Sequence, residues 1–281
     1  ETFASADHLW VVRNCRTSIP LVKTTMELEK HLPAGRSLPL LQPVEYEACG
    51  RTFLHPWLIG FLLAEGCFQP SSVTVTTYDD FCVKKMMELM PPGVFLRRST
   101  MPHNYQLAGG TKRFAVNPLH TMMGEMGLTN HRAWEKFVPE QYMMGSVADR
   151  LAVLQGLMDG DGTASCGKVS FASSSRTLAQ NVVDIVRGLG GRSKMRHKTD
   201  IYYTSPNQCE KKRARDAWIV TIAGLPEGMR PFSLPRKLQS MKAGRSWTRK
   251  FSAIVPAGNQ PFVCISVSAK SGMYVTDEFI P

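Results

Sequence analysis

The stretch Leu154-Gln155-Gly156-Leu157-Met158-Asp159-Gly160-Asp161-Gly162 runs an apolar helical pattern straight into a carboxylate and a glycine. Upstream, Leu58-Ile59-Gly60-Phe61-Leu62-Leu63-Ala64-Glu65-Gly66 has the same glycine in third place and the same acid-glycine ending. An acid is out of place at a helix C-terminus, where the aligned peptide dipoles leave partial negative charge, and a bound cation would be welcome beside it. One such nonamer constrains little. Two predict a helix pair in which Gly60 and Gly156 let the backbones approach and the carboxylates of Glu65 and Asp161 meet at one end. The plainer alternative is two buried helices that each stop at a glycine cap.

The elements around the nonamers recur in the same order. Pro56 opens the first motif helix at a position where a missing N–H does no harm. Val73 to Thr77 then alternates as a strand, Phe81 to Met90 has helical periodicity, and Pro91-Pro92-Gly93 stops it. Strands over Val94 to Thr100 and Tyr105 to Val116 precede a helix from Pro118 to Gly127. In the second half Ser146 and Asp149 have the spacing of a capping box. A strand from Lys168 to Ser173, a helix from Thr177 to Leu189, and strands over Arg192 to Lys198 and Asp216 to Ala223 follow. Val73 and Val169 each stand eight residues past their acid. The repeat is thus one of architecture, with a period of about 96 residues. The fold class expected is α+β, with two pseudo-symmetric αββαββα repeats joined by the helix pair.

Before the repeats, Thr2 to Arg13 reads as a short strand pair. Thr24 to Leu32 reads as a helix, with Thr24 and Glu27 spaced as a capping box. Pro33, Gly35 and Pro39 break it, and the segment to Arg51 reads as a linker. The expected division is residues 1–55, then 56–233 with repeats at about 56–130 and 146–225, then 234–281.

A formal net charge of +11 in 281 residues, with basic clusters at Arg192 to Lys198 and Lys211 to Arg215, points to polyanionic partners. Seven cysteines lie scattered without a C-x-x-C pair, so neither a disulfide framework nor a zinc site is signalled. A reducing, intracellular and cytoplasmic setting is expected. The longest apolar run, Trp57 to Ala64, is too short to span a bilayer, and no membrane role is expected.

Two acids brought together from equivalent places, on a chain that seeks polyanions, suit hard divalent cations held against a phosphodiester. Oxygen ligands favour Mg²⁺. Metals so placed polarise phosphoryl oxygens, help generate hydroxide and stabilise the departing oxyanion. Glu65 and Asp161 would be ligands and not nucleophiles, and two symmetric halves imply attack on both strands of a duplex.

These motifs resemble the LAGLIDADG homing endonucleases in their single-chain, two-motif form, over roughly residues 57 to 225. The resemblance implies a saddle of two β-sheets in the DNA major groove and site-specific double-strand cleavage by a monomer. It implies two or three shared Mg²⁺ ions held by Glu65, Asp161 and the adjoining Ala64 and Gly160, with Mn²⁺ or Ca²⁺ able to substitute for binding. It also implies a basic residue on the third strand of each active site, for which Lys194 and Arg97 are the candidates. Reading of the duplex would fall to polar residues of the sheets, with Arg98, Lys168, Ser170, Arg192, Arg196 and Lys198 as candidates for bases or phosphates.

The flanks resemble a Hint protein-splicing domain interrupted by the nuclease, as in an intein. Ser5-Ala6-Asp7-His8 is similar to a splicing block whose histidine, here His8, helps activate a scissile peptide bond. Val263 to Val267 and Met273 to Ile280 resemble the closing strands, and Leu234-Pro235-Arg236-Lys237 the segment where such a chain leaves its endonuclease. Cys264 stands where that family frequently has Asp, and Gly272 where it can have His. The chain as given, from Glu1 to Pro281, carries no terminal splicing nucleophile or His-Asn, and self-splicing is not expected of it. The alternatives are a cleavage-inactive DNA-binding protein or RNA maturase on the same saddle, and a splicing element with a passenger nuclease.

Overall fold

The computed structural model of the protein describes residues 2–14, 19–31, 36–47, 50, 52–69, 72–109, 117–204, 211–241, 248–259, 261, 267–268 and 274. The chain opens with β1 (Leu9–Asn14) and β2 (Pro20–Thr24), an antiparallel pair, so the early hairpin lies later than the expected Thr2 to Arg13. Helix α1 (Thr25–His31) begins at a reciprocal cap. The Glu27 backbone N–H donates to Thr24 Oγ1 at 3.1 Å and the Thr24 N–H to Glu27 Oε2 at 2.9 Å, satisfying donors that a helix start leaves open. Strand β3 (Arg36–Pro39) pairs with β1 inside the expected linker. Trp10, Val12, Leu28 and Leu38 form a small core of their own.

The larger core is organised around α2 (Pro56–Glu65) and, in the second half, α6 (Val147–Asp161). Helix α2 is buried on every side, because it is walled by both halves of the body. Its apolar run from Trp57 to Leu63 follows from that. The helices cross at their glycines: a Cβ on Gly60 would lie 2.2 Å from the Val153 carbonyl oxygen, and one on Gly156 2.1 Å from that of Trp57. Only hydrogen fits there.

In the first half β4 (Gly66–Gln69), β5 (Ser72–Thr76), β6 (Val94–Arg98) and β7 (Asn104–Gly109) form an antiparallel sheet in the order β4-β5-β7-β6, with α3 (Asp80–Glu88) and α4 (Pro118–Glu125). In the second half a short α5 (Glu140–Met143) leads into α6. Then β8 (Gly162–Ser165), β9 (Lys168–Ser173), α7 (Arg176–Gly188), β10 (Arg192–Lys198) and β13 (Ala217–Gly224) give the matching order β10-β13-β9-β8. Between β10 and β13 stands an exposed hairpin of β11 (Tyr202–Thr204) and β12 (Lys211–Arg213), which has no counterpart between β6 and β7.

Strand alternation puts Val73, Val75 and Leu107 of one sheet, and Val169, Phe171, Val220 and Ile222 of the other, against the helices. The opposite face of each sheet is left open. Helix α8 (Pro235–Gln239) follows Leu234, and Leu234, Leu238 and Met241 pack into the large core. The boundary expected at residue 234 is therefore displaced: this segment is part of the two-repeat body. The incoming chain is strapped to the same body, since Val44 N–H donates to the Gly188 carbonyl at 2.8 Å and buried Arg150 donates to the Val44 carbonyl. Finally β14 (Thr248–Lys250) returns to pair with β3, so strands from before and after the body share one sheet in the order β14-β3-β1-β2.

Candidate active site

Both motif helices pass directly from acid to strand, Glu65 to Gly66 and Asp161 to Gly162, with the glycine extended in each case. Crossing at the glycines brings the helix ends together. A Cβ on Gly160 would fall 2.5 Å from the Ala64 Cβ and 3.1 Å from Glu65 Cγ, so the two acids sit in each other's field. Loss of hydration pushes the Asp161 carboxyl up to about 7, with repulsion from Glu65 adding to it, while Lys136 and Lys237 oppose the rise. Glu65 is raised as well, chiefly by desolvation, against the pull of the same two lysines.

Lys136 carries no sequence signal and Lys237 stands out only within the exit segment Leu234 to Lys237, yet the two hold the site together. Lys136, 5% exposed, donates from Nζ to the carbonyls of Leu63 at 2.9 Å and Gly66 at 2.6 Å. Lys237 donates to the carbonyls of Met158, Asp159 and Gly160 at 2.8, 2.7 and 2.9 Å. Each ammonium thus occupies the negative end of a helix dipole, the favourable place for a cation. Desolvation brings Lys136 down to about 8, against the fields of Asp161 and Glu65. The same cause lowers Lys237.

Asp159 is buried and makes the connection that delivers Lys237. Its Oδ2 accepts from Trp57 Nε1 at 2.8 Å and from the Ser233 hydroxyl, and its Oδ1 accepts the backbone N–H groups of Ser233 and Leu234 at 2.9 and 3.0 Å. Helix α2, helix α6 and the chain entering α8 are tied at one carboxylate. A cleft of about 500 Å³ opens beside Glu65, lined by Thr76, Tyr78, Asp79, Cys82 and Asp159 among others.

Arg97 and Lys194 do not join this cluster. The cross-strand rows are Cys67, Thr74, Gln106, Arg97 in one sheet and Thr163, Ser170, Thr221, Lys194 in the other. Each row starts two residues past its acid and ends three strand spacings away, roughly 14 Å. Arg97 and Lys194 stand at matching places in the two sheets, and the strand order puts both at the outer edges. The cations acting on the acids are Lys136 and Lys237.

Of the candidate DNA contacts, Lys168, Ser170, Arg196 and Lys198 lie on the open face of the second sheet with Lys194. Arg98 has the parity of core residue Val94 and pairs with buried Tyr105, so it is turned from the open face. Arg192 keeps the parity of Lys194 along β10, and the register shift beside it falls on β13, where Gly224 and Ile222 face successive β10 residues. His8 lies edge-on to Trp10 at 4.8 Å between ring centroids, and to Tyr274 at 6.3 Å. Cys264, Gly272 and most of the expected closing strands lie outside the described residues.

The donor set can be tested against a metal. Among the described residues no three His, Cys, Asp or Glu gather into a cluster. Two adjacent carboxylates with raised proton affinity fit an ion that keeps several waters and takes the rest of its ligands from phosphate, as Mg²⁺ does. Of the backbone carbonyls beside them, that of Gly160 already accepts from Lys237, leaving one lone pair, and Ala64 adjoins it at the helix crossing.

Fold and site define the chain as a two-repeat α+β protein with an acidic centre between paired helices. In its second repeat, residues 148–222 match the family model of a LAGLIDADG-like domain. A stretch of 86 residues, 27% of this chain, is 34% identical to the replicative DNA helicase DnaB of Mycobacterium intracellulare. The match spans 15% of that protein's length. Among solved structures, mesophilic variants of the homing endonuclease I-DmoI align over 66% of this chain and 91% of theirs, at 12% identity and a TM-score of 0.39. I-DmoI in complex with DNA and Ca aligns over 60% of this chain and 81% of its own, at 10% identity and a TM-score of 0.36.

Proposed function

We propose that the chain is a site-specific endonuclease of duplex DNA, carried by an intein, that hydrolyses one phosphodiester on each strand with divalent metal. The observation that carries this reading is the meeting of Glu65 and Asp161 at the ends of two helices that cross at Gly60 and Gly156. Glu65 and Asp161 would hold Mg²⁺, which supplies a polarised phosphoryl oxygen and an activated water when bound. Lys136 and Lys237 keep both helix ends fixed and place positive charge beside a substrate phosphate. The open faces of the sheets flank the acids and would lie along the duplex. The endonuclease body is framed by two parts of a splicing fold, a reading supported by the pairing of β14 with β3 across the whole insertion. The protein would act as a monomer on intracellular DNA, since both acids come from one chain.

The test is a plasmid library carrying randomised duplex inserts, incubated with the purified chain and Mg²⁺, with the linear products sequenced. Recurrent cleavage within a long, nearly palindromic sequence, abolished by Asp161→Asn, is expected. Duplex binding without cleavage in Mg²⁺ or Mn²⁺ would leave the binding-only reading, and preferential binding of structured RNA the maturase reading.

A further inference from the structure

The two sheets are equivalent in topology, yet their open faces differ in chemistry. On the second sheet, register places Lys168, Lys194, Arg196 and Lys198 on the open face. The exposed hairpin with Lys211 and Lys212 extends from the same half, closed at its base by the Ala214 N–H donating to the Ile201 carbonyl at 2.7 Å. On the first sheet the open face carries Gln69, Thr74, Gln106 and Phe95, and Arg97 is its one cation among the described residues. Phe95 is 48% exposed there, beside Ala108.

We infer that the two halves engage the duplex by different means, the second sheet anchoring phosphates and the first reading an A·T-rich half-site through neutral side chains. This rests on the DNA reading proposed above and names the kind of target it takes. Lysine and arginine on an open strand neutralise backbone phosphates and release counterions, whatever the sequence. Glutamine amides pair in bidentate fashion with adenine N6 and N7, and an exposed apolar ring meets the thymine methyl. With one cation among its described residues, that part of the face contributes little to the first kind of binding and depends on the second. The target is therefore lopsided in base composition even though the protein is pseudo-symmetric in fold.

The experiment measures binding of the full chain to a random-sequence duplex as a function of salt, without divalent metal. Each phosphate contact contributes about 0.9 to the slope of log affinity against log salt. The triple variant Lys194→Gln, Arg196→Gln, Lys198→Gln should lower the slope by about 2 to 3, and Arg97→Gln by about 1 or less. Lys194→Gln and Lys198→Gln taken singly should each lower it by about 1, which keeps the test open if the triple variant folds poorly. A wild-type slope in the triple variant and in both single lysine variants, or a loss from Arg97→Gln as large as from the triple variant, overturns the inference. Duplexes selected by the wild-type chain from a randomised library should be A·T-rich on one flank only, and equal composition on both flanks also overturns it. A wild-type chain that binds no duplex even at low salt defeats the DNA reading itself, a different outcome from either of these.

Discussion

Lys136 and Lys237 are placed alike beneath the two motif helices, each giving its ammonium to the last carbonyls of the helix whose acid it stands under. They come from segments with no likeness in sequence, a loop before α5 and the short helix α8. What makes them equivalent is the need common to both sites: a helix end that also carries an acid concentrates negative charge, and a buried cation offsets it.

Lys237→Met should therefore cost stability and activity together. Three carbonyls lose their donor, and an unmet buried acceptor costs about 1 to 3 kcal/mol. Urea unfolding is expected to shift by an amount in that range, and cleavage to fall far more than duplex binding. Loss of binding in step with cleavage would place Lys237 on the DNA-holding surface.

The pH dependence of stability follows from Asp161. Its folded carboxyl lies near 7, raised from an ordinary value of 3.8, so between those values the folded chain holds a proton that the unfolded chain has released. Stability from this group is full below about 4 and is lost as pH rises through about 7. In chelator, the wild-type melting temperature should fall over that window, and Asp161→Asn should remove the fall. The side chain keeps solvent access, which screens the effect to no more than about 1 kcal/mol. A wild-type profile that rises from pH 4 to 7 relative to Asp161→Asn would show that the Asp161 carboxyl is not raised in the folded chain.

Gly60→Ala and Gly156→Ala should each destabilise by about 1 to 3 kcal/mol or more, the range for forcing atoms into a packed core. Both new methyls would meet backbone oxygen at little over 2 Å. Backbone cannot rotate aside as a side chain can. The double variant should cost less than the sum, because separating the helices once relieves both clashes. Denaturant unfolding of the three proteins measures this, and additive losses would mean that the two glycines serve separate contacts.

Much of this body was legible in the sequence because local rules govern it. The glycines, the acids, the cap pairs Thr24–Glu27 and Ser146–Asp149, and the alternation of β5, β9 and β13 all follow from spacing. The roles of Lys136 and Lys237 were not legible, since each reaches its helix through a chain path fixed by tertiary packing. Asp159 read as part of a motif, but its partners Ser233 and Leu234 lie far along the chain. The misplacement of Arg97 and Lys194 has a single cause. The resemblance puts both on the third strand of their half, while strand order, which spacing does not encode, sets β6 and β10 at the outer edges.

Cysteine labelling can locate the nucleic acid on the open face without knowledge of the target. Cys67 is exposed, two residues past Glu65, whereas Cys82 is buried and its thiol is pushed up to about 12, first by desolvation and then by Asp159 and Asp79. Only a thiolate alkylates at a useful rate. Iodoacetamide at pH 8 should therefore modify Cys67 and spare Cys82 in the folded chain. Because Cys67 begins the open row that ends at Arg97, a duplex lying across the acids must cover it. Added duplex DNA at low salt is expected to slow its labelling at least about tenfold, and high salt to restore it as phosphate contacts dissolve. Peptide mapping by mass spectrometry reads both rates; undiminished labelling of Cys67 in a saturated complex would put the duplex on some other surface of the protein.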